Sequence, residues 1–477
     1  MSTFLLQVQN MIVFSETIQT VVGAWIGNDR ISSARLSWLE AILWERFGLD
    51  FSLSFNNGSL FLRLYGHETH ISFDCLVEAF SRNASDIPCT SWDAAAEGCY
   101  SVLGSPLPAP AVTQLPFPLI EQHEAGHVIH YDILGLTYWM LSRSEEVDRM
   151  DLDKHGRFPA ISSHAFRYGY LDRPIVDEWL HILGQVIERQ WPGIGVKRHQ
   201  FCMKVSHDVD YPSCSAFLSL KQLARLLTGD ILRRRNLRTA GIAAEVWLLR
   251  SKKLHPADSM NTFDWIMDVS EKRGLRSAFY FICGRTVPAK DAQYEIEHPA
   301  MRHLLRSINE RGHEIGLHPS YGSFQSSEII VAEAERLRRV CADVGIMQDE
   351  WGGRMHYLRW EHPTTMFGLD RAGMTYDTTL SYADQSGFRC GTCFEYPSFD
   401  PVAGRVLHLR IRPLIAMECT VIAERYMGFG IGEEAYQKFS GLKHVCKAVG
   451  GCFTLLWHNS SFPSLAERKL YQRVLDA

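Results

Sequence analysis

The spacing of apolar residues divides the chain into two textures. Up to about residue 195 the pattern is mixed. SARLSWLEAILWERFG (Ser33–Gly48) places apolar residues at helical spacing and ends on glycine. SLFLRLYG (Ser59–Gly66) reads as a strand, and the Pro-rich stretch SPLPAPAVTQLPFP (Ser105–Pro118) as a loop. DILGLTYWMLSRSEEV, opening on the capping residue Asp132, predicts an amphipathic helix. RPIVDEWLHILGQVIERQWPG (Arg173–Gly193) predicts another, closed by Pro-Gly, and the main boundary falls there.

Beyond that point short apolar runs recur and end in polar, chemically capable residues. They are FCMKVSHDVD, SAFYFICGRT, HEIGLHPS, MTYDTTL, VLHLRIRPLIAME and GCFTLLWHNS. Helical patterns such as TFDWIMDVSEKRG and SSEIIVAEAERLRRVCADVG lie between them. Strand–helix alternation predicts a parallel sheet. Reactive groups at successive strand ends are what a (β/α) barrel presents at its catalytic face. The expected organisation is an α/β protein, with a mixed α/β domain over residues 1–195 and a (β/α) barrel over 196–477.

Composition narrows the function classes. With 46% apolar and 22% charged residues the chain can build a full core, which excludes a disordered protein. The 49 basic and 54 acidic residues leave a net charge of -5, so nothing global argues for nucleic acid. The twelve cysteines form no disulfide framework, and the single CxxC, Cys390–Cys393, lacks a second pair. No signal sequence or transmembrane run is evident, so a cytoplasmic location is expected. One segment departs from the average. Lys221–Lys253 contains nine basic and two acidic residues with leucines interleaved. It is a solvated helical pair or a patch for an anionic partner such as a membrane surface.

Chemistry gathers at the strand ends. Asp208 and Asp210 of SHDVD project the same way from an extended chain, and two carboxylates on one face call for a cation or a proton between them. HEIGLHPSY ends on His318, with Gly312 and Gly316 allowing close backbone approach. GGRMHYLRW adds Arg354, His356 and Arg359, and LLWHNSS adds His458.

SHDVD, HEIGLHPSY, RMHY and LLWH, in that order, resemble the motifs of the NodB-homology polysaccharide deacetylases, a carbohydrate esterase family, over roughly residues 196–477. The resemblance implies a distorted (β/α) barrel that removes acetyl groups from glycans with a divalent metal, zinc being the expected ion. It implies Asp208 as catalytic base, Asp210 and His318 as metal ligands, Arg354 orienting the base, and His458 as general acid. Asp377 of TYDTTL is the expected partner of that acid, with Glu418 competing. Gly322 stands where the family has its second ligand histidine, and His356 is the candidate replacement, ahead of His313. The expected substrate is an N-acetylated saccharide (nucleotide sugar, lipid-linked or polymeric) used in surface-polysaccharide assembly. The N-terminal domain carries no chemistry by this resemblance.

Two other function classes remain open on sequence. HEAGH (His123–His127) is a literal HExxH, which on a helix would hold zinc with Glu124 as base and Glu146 as a further ligand, as in gluzincin peptidases. Against it, the following VIHYD is strand-like. A glycan-binding protein with a degenerate, metal-free barrel is the other alternative, supported by the missing second histidine.

Overall fold

The computed structural model describes residues 31–476, apart from 81–84, 112–113, 234 and 251. It opens with the helix Ser33–Phe47, which ends where Gly48 turns left-handed at φ 69. Three antiparallel strands follow: β1 (Phe51–Asn56), β2 (Ser59–Leu64) and β3 (His70–Asp74). β4 (Cys89–Trp92) and β5 (Leu107–Pro110) make a separate ribbon. Part of the proline-rich stretch is thus a strand. A two-stranded ribbon is all edge, where missing prolyl N–H groups cost no ladder bond. β6 (Ile120–His123) and β7 (Gly126–Ile129) form a hairpin, and the first sheet runs β1-β2-β3-β7-β6, with β7 parallel to β3.

Asp132 caps the next helix, its carboxylate accepting from Gly135 N at 2.7 Å. That helix, Ile133–Leu141, is shorter than its apolar pattern suggests, because Arg143 adopts φ 54 and ends it. Its side chains are all buried, as are those along one face of helix Ile175–Gln190.

The second sheet has nine strands: β8 (Cys202–Val209), β9 (Ser277–Phe281), β10 (Glu314–Leu317), β11 (Gly352–Gly353), β12 (Tyr376–Asp377), β13 (Tyr396–Asp400), β14 (Arg405–Ile411), β15 (Ala416–Met417) and β16 (Cys452–Leu456). Their order is β13-β14-β12-β11-β10-β9-β8-β16-β15, parallel throughout except for the β13–β14 hairpin. The expected single strand VLHLRIRPLIAME is therefore two. It breaks near Pro413: β14 lies second from one side of the curled sheet and β15 forms the opposite edge. A backbone bond from Leu414 N to Leu380 O (3.2 Å) ties the segment entering β15 to the one leaving β12, and the curled sheet is a distorted, partly open barrel. Gly316 shows how tight the curl is. A Cβ there would lie 2.3 Å from the Tyr280 ring and 2.5 Å from the Gly352 carbonyl.

One continuous apolar core runs from the N-terminal elements into the barrel. Trp38 of the first helix donates to Pro397 O at 2.8 Å and packs on Phe399 of β13. Glu146 receives Arg143 (2.8 Å) and Arg389 (2.6 Å), all three buried. The CxxC segment packs against helix Ile175–Gln190, where Thr392 Oγ1 and Cys393 N donate to Asp177. All of its bonding is structural, and both cysteines are free thiols. No helix among the described residues is long and apolar enough to cross a membrane.

Candidate active site

Every strand of the parallel set points its C-terminal end the same way, and that end gathers the site. β8 delivers Asp208 and, one residue past its end, Asp210. β10 delivers His318, whose backbone N–H bonds to Phe281 O of β9 at 2.8 Å. The turn after β11 delivers Arg354 and His356, and the segment after β16 delivers His458.

Asp210 sits between two imidazoles. Its Oδ1 lies 3.4 Å from His318 Nε2 and 3.6 Å from His356 Nε2, and it has no hydrogen-bond partner although buried. Ligand atoms around a tetrahedral zinc with bonds near 2.0–2.1 Å are about 3.4 Å apart. The donor set therefore fits such an ion. Among the described residues these three are the group whose ligand atoms lie within 4.8 Å of one another.

Outer contacts set the tautomers. His318 Nδ1 is 2.5 Å from the Arg354 carbonyl oxygen, which can only accept, so the proton sits on Nδ1 and Nε2 is left to bind. His356 Nδ1 faces Asp291 Oδ1 at 3.3 Å, with the same result. Asp291 is itself fixed by Tyr321 N (2.6 Å) and Val287 N (2.7 Å), an arrangement typical of metal-bound histidine. Burial works against a charged His356, but Asp210 and Asp291 outweigh it and push its pKa up to about 9.

Arg354 is almost fully buried and spends its guanidinium on Asp208 Oδ1 (2.7 Å), Ser206 Oγ (2.8 Å) and Thr378 O (3.0 Å). Burial would raise the pKa of Asp208, but Arg354, then His318 and His458, bring it below the usual carboxylate value. Its second oxygen, Oδ2, remains directed into the site, 3.7 Å from His318 Nε2 and 4.0 Å from His458 Nε2.

Glu418, not Asp377, is the partner of His458. Glu418 Oε1 lies 2.7 Å from His458 Nδ1 and also accepts from Ser461 Oγ at 2.8 Å. Burial disfavours the imidazolium, yet Glu418, Asp210 and Asp208 raise the His458 pKa to about 10. Asp377 turns back on its own chain, accepting from Thr379 Oγ1 (2.5 Å) and Thr379 N (2.9 Å), and burial raises its pKa to about 6. An aspartate two residues before a threonine readily closes such a local turn.

Other expectations are corrected by position. A side chain at Gly322 would crowd Thr286. The glycine packs on Thr286, whose Oγ1 would lie 3.0 Å from an added Cβ, and its N–H donates to that same atom at 2.7 Å. His313 lies at the opposite end of β10, where Nδ1 accepts from Ser277 N (3.0 Å) and Nε2 meets Glu271 (3.3 Å). HEAGH spans the β6–β7 hairpin, not a helix. Gly126 has φ 138, and a Cβ there would lie 1.8 Å from His70 O, because strand pairing with β3 claims it. His123 is exposed beside Glu121, His127 faces Gln190, and Glu146 is held by arginines, so the peptidase site does not form. The metal-free alternative rested on Gly322; His356 stands beside Asp210 and His318 as another possible donor.

The site opens into a cleft of about 1010 Å³ lined by Tyr211, Tyr321, Tyr357 and Tyr426 as well as Asp208, Asp210, His318, His356 and His458. A smaller cavity, about 430 Å³, lies elsewhere, between Arg46, Lys197 and Cys452, and contains none of these groups. Sequence reasoning missed Asp291, whose loop carries no pattern that marks it. It also missed the contribution of residues 153–157 to the cleft wall.

Residues 29–192 match a family of unknown function, DUF7033. No curated protein matches the chain. Several solved structures match the chain at low identity. One, assigned as a polysaccharide deacetylase from Mycobacterium smegmatis, is 15% identical, with 60% of this chain and 85% of that one aligned at a TM-score of 0.37. A Puue allantoinase is 12% identical over 60% and 85%, at 0.35. A second protein assigned as a polysaccharide deacetylase, from Pseudomonas aeruginosa PAO1, is 12% identical over 58% and 84%, at 0.36.

Proposed function

We propose that this protein is a metal-dependent deacetylase that removes an acetyl group from an N-acetylated sugar during surface-polysaccharide biosynthesis. The observation that carries the reading is the meeting of Asp210, His318 and His356 around one point, flanked by an Arg354-held carboxylate and a Glu418-held imidazole. A divalent metal bound there, zinc in this reading, acidifies water and polarises an acyl carbonyl.

The chain's own groups supply the rest. Asp208 Oδ2 accepts a proton from the attacking water, and Arg354 keeps that carboxylate ionised and aimed. His458, protonated on Nε2 and anchored through Nδ1 by Glu418, delivers a proton to the departing sugar nitrogen. Amide cleavage needs this proton because an amine anion is a very poor leaving group. Tyr321 and Tyr357 offer faces on which a pyranose can stack.

The test is acetate release from N-acetylated saccharides, supplied as nucleotide-linked, lipid-linked and polymeric forms. The reading predicts release that ceases on chelation, returns with added zinc, and is lost in Asp208→Asn. Release that survives both treatments contradicts it.

The reading includes a cytoplasmic site of action at the inner face of a membrane. Its support is the basic segment, which folds as helices Leu220–Thr228 and Leu237–Leu248. These expose Leu220, Leu237 and Leu248 at about 70% each, beside the exposed Lys221, Arg225 and Arg238. Apolar side chains interleaved with cations suit an anionic lipid surface. Vesicles rich in phosphatidylglycerol should carry the protein in flotation and neutral vesicles should not. Equal behaviour on both removes this part of the proposal.

A further inference from the structure

The N-terminal domain reaches the cleft through one turn, Asp153–Arg157. Asp153 organises it, accepting from His155 N (2.8 Å) and Arg157 N (3.1 Å) and pairing with the Arg157 guanidinium at 2.7 Å. Three bonds then fasten it to the barrel. Arg157 Nη1 donates to Tyr357 O (2.9 Å), His155 Nδ1 meets Tyr321 OH (3.0 Å), and Arg359 Nε donates to His155 O (2.7 Å). The residues it grips are strained. Tyr357 and Leu358 lie at φ 63 and 56, directly after the ligand His356.

The same cleft also carries cations. Lys154 of the turn, Lys290 and Arg425 all line it, and none has a carboxylate partner among the described residues. Lys290 Nζ lies 5.3 Å from the Tyr357 ring and 5.8 Å from the Tyr321 ring. The Tyr357 ring is 4.8 Å from the His356 ring, so the cations begin one aromatic side chain away from the metal ligands. Of the cleft's carboxylates, Asp153 is paired with Arg157, Asp208 with Arg354, and Asp210 faces His318 and His356, which leaves Asp384, bonded to Ala160 N, against three cations. Uncompensated cations sharing a cleft repel one another and focus a field that attracts anions.

We infer that the turn Asp153–Arg157 completes the substrate site, and that Lys154, Lys290 and Arg425 form a subsite for an anionic group, carboxylate or phosphate, carried by the acetylated saccharide. The inference rests on the deacetylase reading and gives the DUF7033 region a role, as one wall of the cleft. Tyr321 and Tyr357 then hold the sugar between the metal position and the cations.

Calorimetry with the Asp208→Asn protein tests this without turnover. The ligands are three acetylated oligosaccharides of equal length, one neutral, one bearing a uronate and one bearing a phosphate. At least one anionic ligand should bind about tenfold tighter than the neutral one, and about 0.5 M salt should shrink the preference. Lys154→Met and Lys290→Met should each lower it severalfold. Both side chains are at least partly solvent-exposed, so neither change endangers the fold. Which anion is preferred identifies the group. Equal affinity for all three ligands, or no binding of any, overturns the subsite. A preference that Lys154→Met leaves intact overturns the role of the N-terminal turn. Acetate release by the wild-type protein is measured separately. A preference without release would leave the subsite standing and sink the deacetylase reading.

Discussion

In the proposed site His356 takes the place of a ligand that local spacing does not supply. Gly322 lies on the β10 side of the site but is committed to Thr286, so the third donor comes from the neighbouring strand end. Gly322→His should therefore not rescue a His356→Ala protein, because the new side chain would push on Thr286 before reaching the metal position. Recovery of metal binding in that double variant would refute this. Glu418 and Asp377 can be separated in the same way. Glu418→Gln weakens the charge that anchors His458 and should lower kcat by about 10²-fold with little change in KM. Asp377→Asn disturbs only a local turn, and its kcat should stay within about threefold of wild type. Equal losses in both would contradict the assignment of Glu418 as the partner of the acid.

Among the elements, the strained turn after β11 matters most to the site. Two consecutive non-glycine residues in the left-handed region cost on the order of 1–3 kcal/mol each, and surrounding bonds must hold them there. Arg157 provides one, at the Tyr357 carbonyl. Arg157→Met should loosen the turn, weaken zinc affinity about tenfold in chelator competition, and leave Asp208 untouched. Unchanged affinity would show that the barrel alone fixes His356. The HEAGH hairpin illustrates the opposite case, a motif without its element. Its chemistry needs a helix, but Gly126 pairs with His70 across β7 and β3. Glu124→Gln should leave acetate release unchanged, and a loss would reopen that site.

At the scale of the molecule, the buried Glu146 links the N-terminal domain to the barrel. Burial alone would raise its pKa, but Arg389 and Arg143 outweigh burial and bring it down to about 2. A carboxylate whose folded pKa is depressed stabilises the fold above its unfolded pKa, near 4.5, and loses that contribution as pH falls toward 2. The contribution is on the order of 3 kcal/mol. Denaturant midpoints should drop between pH 5 and pH 3 in the wild type and much less in Glu146→Gln, which should already be destabilised at pH 7. Parallel curves for the two proteins would show that this linkage is absent.

The same scale explains what could be read from sequence. Asp208, Asp210, His318, Arg354 and His458 were legible because parallel strands align their ends, so an ordered series of apolar runs predicts an ordered series of polar termini. Asp291 and the Asp153–Arg157 turn were not legible. Their roles exist only through contacts made by distant segments in the folded chain, and their own surroundings show no period. The division at about residue 195 marks a change of texture, yet the core continues across it and the cleft draws on both sides.

The central claim is that Asp210, His318 and His356 together hold a catalytic metal. Metal content by mass spectrometry, measured on the same samples as acetate release, tests it most directly. The account predicts about one divalent ion per wild-type chain, and loss of both ion and activity in His356→Ala. A wild-type protein that releases acetate without bound metal, or a His356→Ala protein that keeps a full complement of metal and activity, would contradict it.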